Sequence, residues 1–187
     1  MKSHRIVYVG PGMSGRRTSL SHVLSVCSLE GKPPVIDPHE AYEFPFESAT
    51  STCHILARVS TVRSHLYYKN PTDLELDSRI ATEIDWLCEA DGFVFVLDSQ
   101  WQRSLANTEA FSRLKMDLAS RNLVLETIPI VFQLNKRDIK SIMPRDVAQV
   151  GFPVDESSVY VESVASKGIG TLEAVAQLIL LMDKCVL

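Results

Sequence analysis

The chain has 187 residues, of which 45% are hydrophobic and 22% are charged, and this is the composition of an ordinary globular protein. Its length predicts one domain, residues 1–187, which can bury enough surface to fold without disulfides or a structural metal. The formal net charge of −4 gives no basic stripe and argues against nucleic acid as the main partner.

Three further features concern the compartment. The chain has no apolar run of about 18 residues, the length that predicts a membrane-spanning helix. Its first residues, Met1–Arg5, lead directly into a strand pattern and do not have the pattern of a secretion signal. The cysteines at 27, 53, 88 and 185 have no paired spacing, which favours free thiols over a metal site or disulfides. We therefore expect a cytoplasmic protein without a membrane span.

Strands and helices alternate along the chain. Short apolar or alternating runs predict six strands, at His4–Val9, around 42–46, and at Cys53–Val62, Gly92–Asp98, Ile128–Leu134 and Val159–Val161. Apolar residues at helical spacing predict helices at Arg17–Leu29, Leu76–Glu89, Leu105–Ala119, Val147–Phe152 and Leu172–Met182. This order predicts a three-layer α/β fold, in which a mostly parallel six-stranded sheet lies between helices on both faces.

A glycine-rich loop follows the first predicted strand. Its glycines have the spacing of a Walker A loop, but Arg16 replaces the lysine and Arg17 replaces the serine or threonine. Backbone N–H groups of such a loop, together with the start of the next helix, can surround a phosphate. The predicted phosphate-binding residues are Gly10, Gly12, Met13, Ser14, Gly15, Arg16, Arg17 and Thr18. The alternative is a strand–turn–helix junction that binds no ligand.

The replacement at position 17 affects metal binding. A hydroxyl there would be a ligand of Mg²⁺, whereas the charge of Arg17 repels Mg²⁺ and can replace it against a β-phosphate. Thr18 comes one residue too late to supply that hydroxyl. The planar guanidinium of Arg16 also fits a loop shaped for a lysine ammonium poorly. The sequence therefore makes Mg²⁺ doubtful, and no metal ligand is predicted.

Two more loops follow strand ends later in the chain. In Asn135-Lys136-Arg137-Asp138, the carboxylate of Asp138 can accept two N–H groups from a guanine edge, Lys136 can pack over the base, and Asn135 can tie the loop to its neighbours. The alternative is a charged turn that caps a helix. After the last strand, a backbone N–H of Val164, Ala165 or Ser166 can reach the base carbonyl. Because ligands of parallel sheets bind at the carboxyl ends of strands, these loops and the glycine loop should share one rim.

These segments resemble the MglA-type small GTPases of bacteria, in the Ras superfamily. The resemblance covers nearly the whole chain, and four segments carry it: Lys2–Thr18, Val94–Gln100, Phe132–Asp138 and Glu162–Gly170. It implies the Ras-like P-loop NTPase fold, binding of GTP or GDP with Mg²⁺, and two switch loops that respond to the γ-phosphate. It also implies a roadblock-type protein partner that stimulates hydrolysis, and a role in cell polarity and gliding motility.

The chain departs from this family where hydrolysis takes place. The family's second switch begins Thr-Val-Pro-Gly-Gln, whereas this chain has Thr61–His65, with Ser64 for the glycine and His65 for the glutamine that orients water. No arginine occurs from 32 to 57, the region of the first switch, and the position expected for its threonine falls near His39 or Glu40. His65 is thus the catalytic candidate, and only if the protein is active.

Three functions follow from these substitutions. The favoured one is a pseudo-GTPase, which keeps the fold, with or without guanine nucleotide, and works as a protein-interaction module. The second is a slow GTPase in which His65 places the water. The third is an unrelated nucleotide or phosphate enzyme with the same fold, which the intact Asn135–Asp138 motif opposes.

Two regions are candidates for binding a protein partner. Tyr42, Phe44 and Phe46 alternate along a predicted strand, and the alternative is that some of them face the core. The second region comprises Tyr67, Tyr68 and a predicted extra loop at Lys69–Asp77.

Overall fold

The computed structural model describes residues 2–28, 34–48, 52–60, 74–152 and 158–184. Its strands are β1 (Lys2–Val9), β2 (Ala41–Glu47), β3 (Thr52–Val59), β4 (Gly92–Asp98), β5 (Ile130–Asn135) and β6 (Val159–Glu162). Its α-helices are α1 (Arg16–Cys27), α2 (Leu74–Cys88), α3 (Ser104–Ala119), α4 (Arg145–Gly151) and α5 (Thr171–Lys184). The strands form one six-stranded sheet in the order β2-β3-β1-β4-β5-β6.

The pairing of the strands confirms the predicted fold class. β2 runs antiparallel to β3, and the other four neighbouring pairs are parallel. The strand order and the helices on both faces are those of the Ras-like P-loop fold that the resemblance implies. The parallel strands end at one rim, so the loops after β1, β5 and β6 come together there.

Two apolar cores lie on opposite faces of the sheet. β4 and β5 are buried along their whole lengths, as their continuous apolar runs predict for central parallel strands. On one face α1 and α5 pack against the sheet, for example through Leu20 and Leu178. On the other face, Phe95 and Phe111 meet edge to face with ring centroids 5.5 Å apart.

No helix in the described part of the chain has the length and apolarity needed to cross a membrane. The longest, α3, has 16 residues, and a crossing takes about 20.

Element ends differ from the predictions where local chemistry decides them. The strand predicted from Ile128 begins only at Ile130, because a 3-10 turn precedes it and Pro129 has no N–H for the ladder. The predicted third strand ends at Val59 rather than Val62, and positions 61 and 62 lie outside the described residues. Helix α2 already begins at Leu74, so the loop predicted to extend to Asp77 does not.

The aromatic residues of β2 differ in how far they are buried. Phe44 and Phe46 are 2% and 5% exposed and belong to the core, while Tyr42 is half-buried beside them. The core alternative is therefore correct for Phe44 and Phe46, which cannot form a docking surface. Pro45 faces outward on this edge strand, where its missing N–H leaves no partner unpaired.

Candidate nucleotide-binding site

One pocket collects the three loops at the carboxyl ends of the strands. Its volume is about 330 Å³, within the range of small-molecule sites. Its lining residues are Met13, Gly15, Thr18, Asn135, Lys136, Asp138, Ile139, Val164, Ala165 and Ser166. All of these except Ile139 were proposed from the sequence, and they come from segments more than a hundred positions apart.

The glycine loop has the backbone shape that its sequence predicts. Gly10 and Gly15 have φ angles of 131° and 103°, which residues with side chains rarely adopt. A side chain at Gly15 would overlap the amide of Asn135, and one at Gly10 would overlap the backbone of Val96. Helix α1 begins directly after Gly15, so its unpaired N–H groups point into the loop.

Asn135 ties the three loops together. Its Nδ2 donates to the carbonyl of Ser14 at 2.7 Å, and its Oδ1 accepts the N–H of Ala165 at 2.8 Å. The hydroxyl of Ser163 lies 3.2 Å from the same Oδ1. The tying role proposed for Asn135 therefore has a direct geometric basis.

Lys136 and Asp138, in the loop after β5 (residues 135–139, the base loop), each have an ion-pair partner. Lys136, with a φ of 66°, places its Nζ 2.7 Å from Oδ2 of Asp98. Asp138 lies at the pocket rim with its Oδ2 3.2 Å from Nζ of Lys167, and about a third of its side chain is exposed. The carboxylate of Asp138 is thus accessible to a ligand, and Lys167 is the cation that a ligand edge would meet beside it.

Three arginines lie on the predicted phosphate side of the pocket. Nη1 of Arg16 donates to the carbonyl of Ser60 at 2.6 Å and so reaches across the loop to the end of β3. Arg17 is exposed at the start of α1, and Thr18 lines the pocket. A third arginine was not anticipated: Nη2 of Arg103 donates to the carbonyl of Gly12 at 2.6 Å.

The donor groups on this side do not fit Mg²⁺. The residue after Arg16, where a Walker A loop supplies a metal-binding hydroxyl, is the cation Arg17. In the described ranges, no group of three or more His, Cys, Asp or Glu side chains could hold a metal ion. Mg²⁺ bound with a nucleotide is held mainly by phosphate oxygens, water and one or two protein oxygens, so the cation at position 17, which repels it, is the observation that decides.

No family model matches the chain. It is similar, however, to the mutual gliding-motility protein MglA of Myxococcus xanthus (strain DK1622), with 33% identity over 180 residues. The match covers 94% of this chain and 90% of that protein. The chain belongs to the MglA family of small GTPases. Membership of the MglA family agrees with the Ras-like strand order and with the position of the pocket.

Two buried polar residues near the pocket were not predicted from the sequence. Gln133 is fully buried in β5, and its Nε2 donates to the hydroxyls of Ser19 in α1 and Ser163 after β6, each at 2.9 Å. Asp98 ends β4 with only 1% of its surface exposed. The available signal was a polar residue within or ending a buried apolar strand, because such a group must find partners inside the fold.

Several functional residues predicted from the sequence lie outside the residues that the structure describes. These are the second-switch residues 61–65, including His65, and the proposed contact residues Tyr67 and Tyr68. The first five positions of the predicted extra loop, 69–73, lie outside them as well.

Proposed function

We propose that this protein is a guanine-nucleotide-binding pseudo-GTPase of the MglA family, a single domain over residues 1–187. The observation that carries the proposal is the pocket in which Asp138, the glycine loop and the Val164–Ser166 loop meet. In this role the bound nucleotide stabilises a surface that a partner protein recognises.

Retention of nucleotide is supported by the way the pocket is built. Phosphate binding by a glycine loop uses backbone N–H groups, and these do not depend on the side chains at 16 and 17. Guanine recognition uses the carboxylate of Asp138, which is exposed at the rim, while Asn135 holds the surrounding loops in place. GDP or GTP is therefore the proposed ligand.

Loss of hydrolysis is supported by the substitutions around the phosphates. Arg17 replaces the metal-binding hydroxyl, Arg16 is engaged with the carbonyl of Ser60, and His65 replaces the water-orienting glutamine. The region of the first switch also has no arginine, and an arginine at the phosphates is worth about 10³–10⁵ in rate. Losses within one site are not additive, but each of these lowers the rate.

A protein partner completes the proposal. The related protein of Myxococcus xanthus is named for mutual gliding motility, and the sequence resemblance implies a roadblock-type regulator. We infer that this chain works in the cytoplasm with such a partner, in cell polarity or motility. Because the substituted site would not turn over, the partner would read the nucleotide-bound surface rather than stimulate hydrolysis.

The central experiment is to identify what the purified protein carries. Denatured extracts should release GDP or GTP in near-stoichiometric amount, and calorimetry of the stripped protein should show binding of GDP in the presence of a Mg²⁺ chelator. If the extracts contain no nucleotide and GDP, GTP and their Mg²⁺ complexes all fail to bind, the binding proposal is wrong.

Membership of the MglA family also favours a second function, a slow GTPase in which His65 orients the attacking water. Phosphate release from GTP above the buffer background would support it, provided that His65→Ala abolishes the release. His54, which pairs with Ser3 near the start of β3 and so lies at the end of the sheet opposite to the pocket, supplies the control, and His54→Ala should leave any release unchanged. Release that survives His65→Ala would point to a contaminating enzyme or to another water-orienting group.

A further inference from the structure

We propose that Asp98, Arg103 and Lys136 form a charge bridge that couples the phosphate loop to the base loop, with Arg103 as the positioning residue. The effect on nucleotide affinity rests on the proposed function, whereas the coupling of the two loops is a property of the protein alone. None of the motifs in the chain marks Arg103, which lies 91 positions from its partner Gly12.

The centre of the charge bridge is a carboxylate held in one place. The backbone of Asp98 is fixed by Asn107, whose Oδ1 accepts the Asp98 N–H at 3.0 Å and whose Nδ2 donates to its carbonyl at 2.8 Å. Oδ1 of Asp98 accepts the backbone N–H and the side-chain amide of Gln100, at 3.2 and 3.1 Å. The same amide lies 3.4 Å from Oδ2, and this second oxygen is the one that the carboxylate presents to the cations.

Two cations from different loops share that oxygen. Nζ of Lys136, in the base loop, lies 2.7 Å from Oδ2, and Nε of Arg103 lies 3.6 Å from it. The guanidinium of Arg103 also uses Nη2 to donate to the carbonyl of Gly12 in the phosphate loop at 2.6 Å. A continuous path of charged contacts therefore runs from Gly12 through Arg103 and Asp98 to Lys136.

Burial makes this path energetically significant. The side chain of Asp98 is 1% exposed, whereas those of Arg103 and Lys136 are 35% and 26% exposed. A buried carboxylate that loses one cation is left with an uncompensated charge, and the loop that holds the remaining cation readjusts around it. A displacement of the phosphate loop at Gly12 therefore also shifts Lys136. The converse holds because coupling between two sites is reciprocal.

The chain offers a matched control for the loss of Arg103. Nε of Arg113, on α3, lies 2.8 Å from the carboxylate of Asp117, which is also buried, and neither residue lines the pocket. Arg103→Met and Arg113→Met therefore both remove a cation from a buried carboxylate. Arg103→Lys is the third variant: it keeps the charge, but a single ammonium replaces the two guanidinium nitrogens that contact Asp98 and Gly12.

Hydrogen exchange of the nucleotide-free full chain is the deciding measurement. Arg103→Met should speed exchange severalfold in both the phosphate loop, 10–18, and the base loop, 135–139, while β4 keeps its protection. Arg113→Met should leave both loops unchanged, and Arg103→Lys should restore the base loop more than the phosphate loop. Lys136→Met should in turn speed exchange in 10–18.

Two results would overturn the charge bridge. One is faster exchange after Arg103→Met that is confined to 10–18. The other is a uniform increase over the whole chain, which would show a general loss of stability. Titration with GDP is a separate arm, in which Arg103→Met should weaken binding about tenfold, the effect of losing one charged contact of about 1.4 kcal/mol, and Arg113→Met should not. Should wild-type protein fail to bind GDP, the proposed function falls, and hydrogen exchange still decides whether the loops are coupled.

Discussion

The proposed base side of the pocket and its proposed phosphate side retain different parts of a P-loop nucleotide site. On the base side, side chains are retained: Asn135 ties three loops together and Asp138 presents its carboxylate at the rim. On the phosphate side the backbone is retained, with left-handed glycines at 10 and 15, while the side chains at 16 and 17 are arginines.

This difference separates binding from hydrolysis. A phosphate can be held by N–H groups of the main chain, which almost any side chain leaves in place. Phosphoryl transfer needs a few particular side chains and a metal ion positioned against the phosphates. A chain that keeps the glycines and Asp138 but changes the side chains at 16 and 17 can therefore lose turnover before it loses the nucleotide.

The largest predicted effect tests the base side. Asp138→Ala should weaken GDP binding about 100-fold or more, because two hydrogen bonds to a charged group are lost, each worth about 1.5–3 kcal/mol. Titration calorimetry of stripped protein measures this directly. Asp146→Ala is the control, since Asp146 is exposed on α4 and does not line the pocket.

Two outcomes would contradict the assignment of Asp138. Equal losses from Asp138→Ala and Asp146→Ala would indicate a general charge effect. Binding of ADP as tight as that of GDP in the unmodified protein would show that Asp138 does not select guanine.

The second prediction tests the backbone of the phosphate side. Gly15→Ala should lower the free energy of unfolding by about 2–4 kcal/mol, because Gly15 has a φ of 103° and a Cβ there would overlap the amide of Asn135. Urea denaturation gives the change. Gly12→Ala is the matched control, since a Cβ at Gly12 would meet nothing within 4 Å.

If both variants unfold at the same urea concentration, the glycine spacing has no conformational basis and the phosphate-loop assignment loses its main support. A deficit for Gly15→Ala that disappears when Asn135 is also replaced by Ala would instead identify the clash with that side chain as its source.

The fold and the place of the pocket could be predicted because they follow from local patterns. The continuous apolar runs of β4 and β5 indicate central strands, and loops after parallel strands meet at one rim. The buried links could not be predicted. Gln133 contacts Ser19 across 114 positions, and side-chain contacts between such distant segments leave no periodic trace in one sequence.

Two further points could not be decided from the sequence alone. Alternation along β2 puts Phe44 and Phe46 on the apolar face, but it does not say whether a helix of the same chain or a partner protein covers that face until the packing is known. Likewise Arg103 is one of many arginines in polar helical sequence, and its contact with Gly12 depends on where α3 begins.

The third prediction concerns how far GDP binding depends on Mg²⁺. In wild-type protein, removal of Mg²⁺ by a chelator should change the affinity for GDP less than about threefold, since Arg17 supplies positive charge that needs no metal. In Arg17→Thr, a hydroxyl replaces the guanidinium, and chelation should weaken binding about tenfold. Arg145→Thr makes the same chemical change at an exposed position away from the pocket. An unchanged metal response in Arg17→Thr would remove the charge-substitution argument.

The smallest predicted effect concerns His4, which lies at the end of β1 opposite to the pocket. It tests the stability of the sheet independently of ligand binding. His4 is buried, and burial, followed by the charge of Lys2, lowers the pKa of its imidazole. The unfolded chain, with an ordinary pKa of about 6.5, binds a proton more readily than the folded protein does. The resulting stability is present above about pH 6.5 and is lost as the pH falls through the folded-state pKa.

Urea unfolding at about pH 7.5 and about pH 5.5 should therefore show a small loss of stability on acidification. His4→Phe should reduce that loss, because the imidazole that takes up the proton is gone, whereas His39→Phe, at an exposed position, should not. If the loss is the same in all three proteins, the pH dependence arises elsewhere in the chain. A loss that instead tracks occupancy by GDP would place its origin at the pocket.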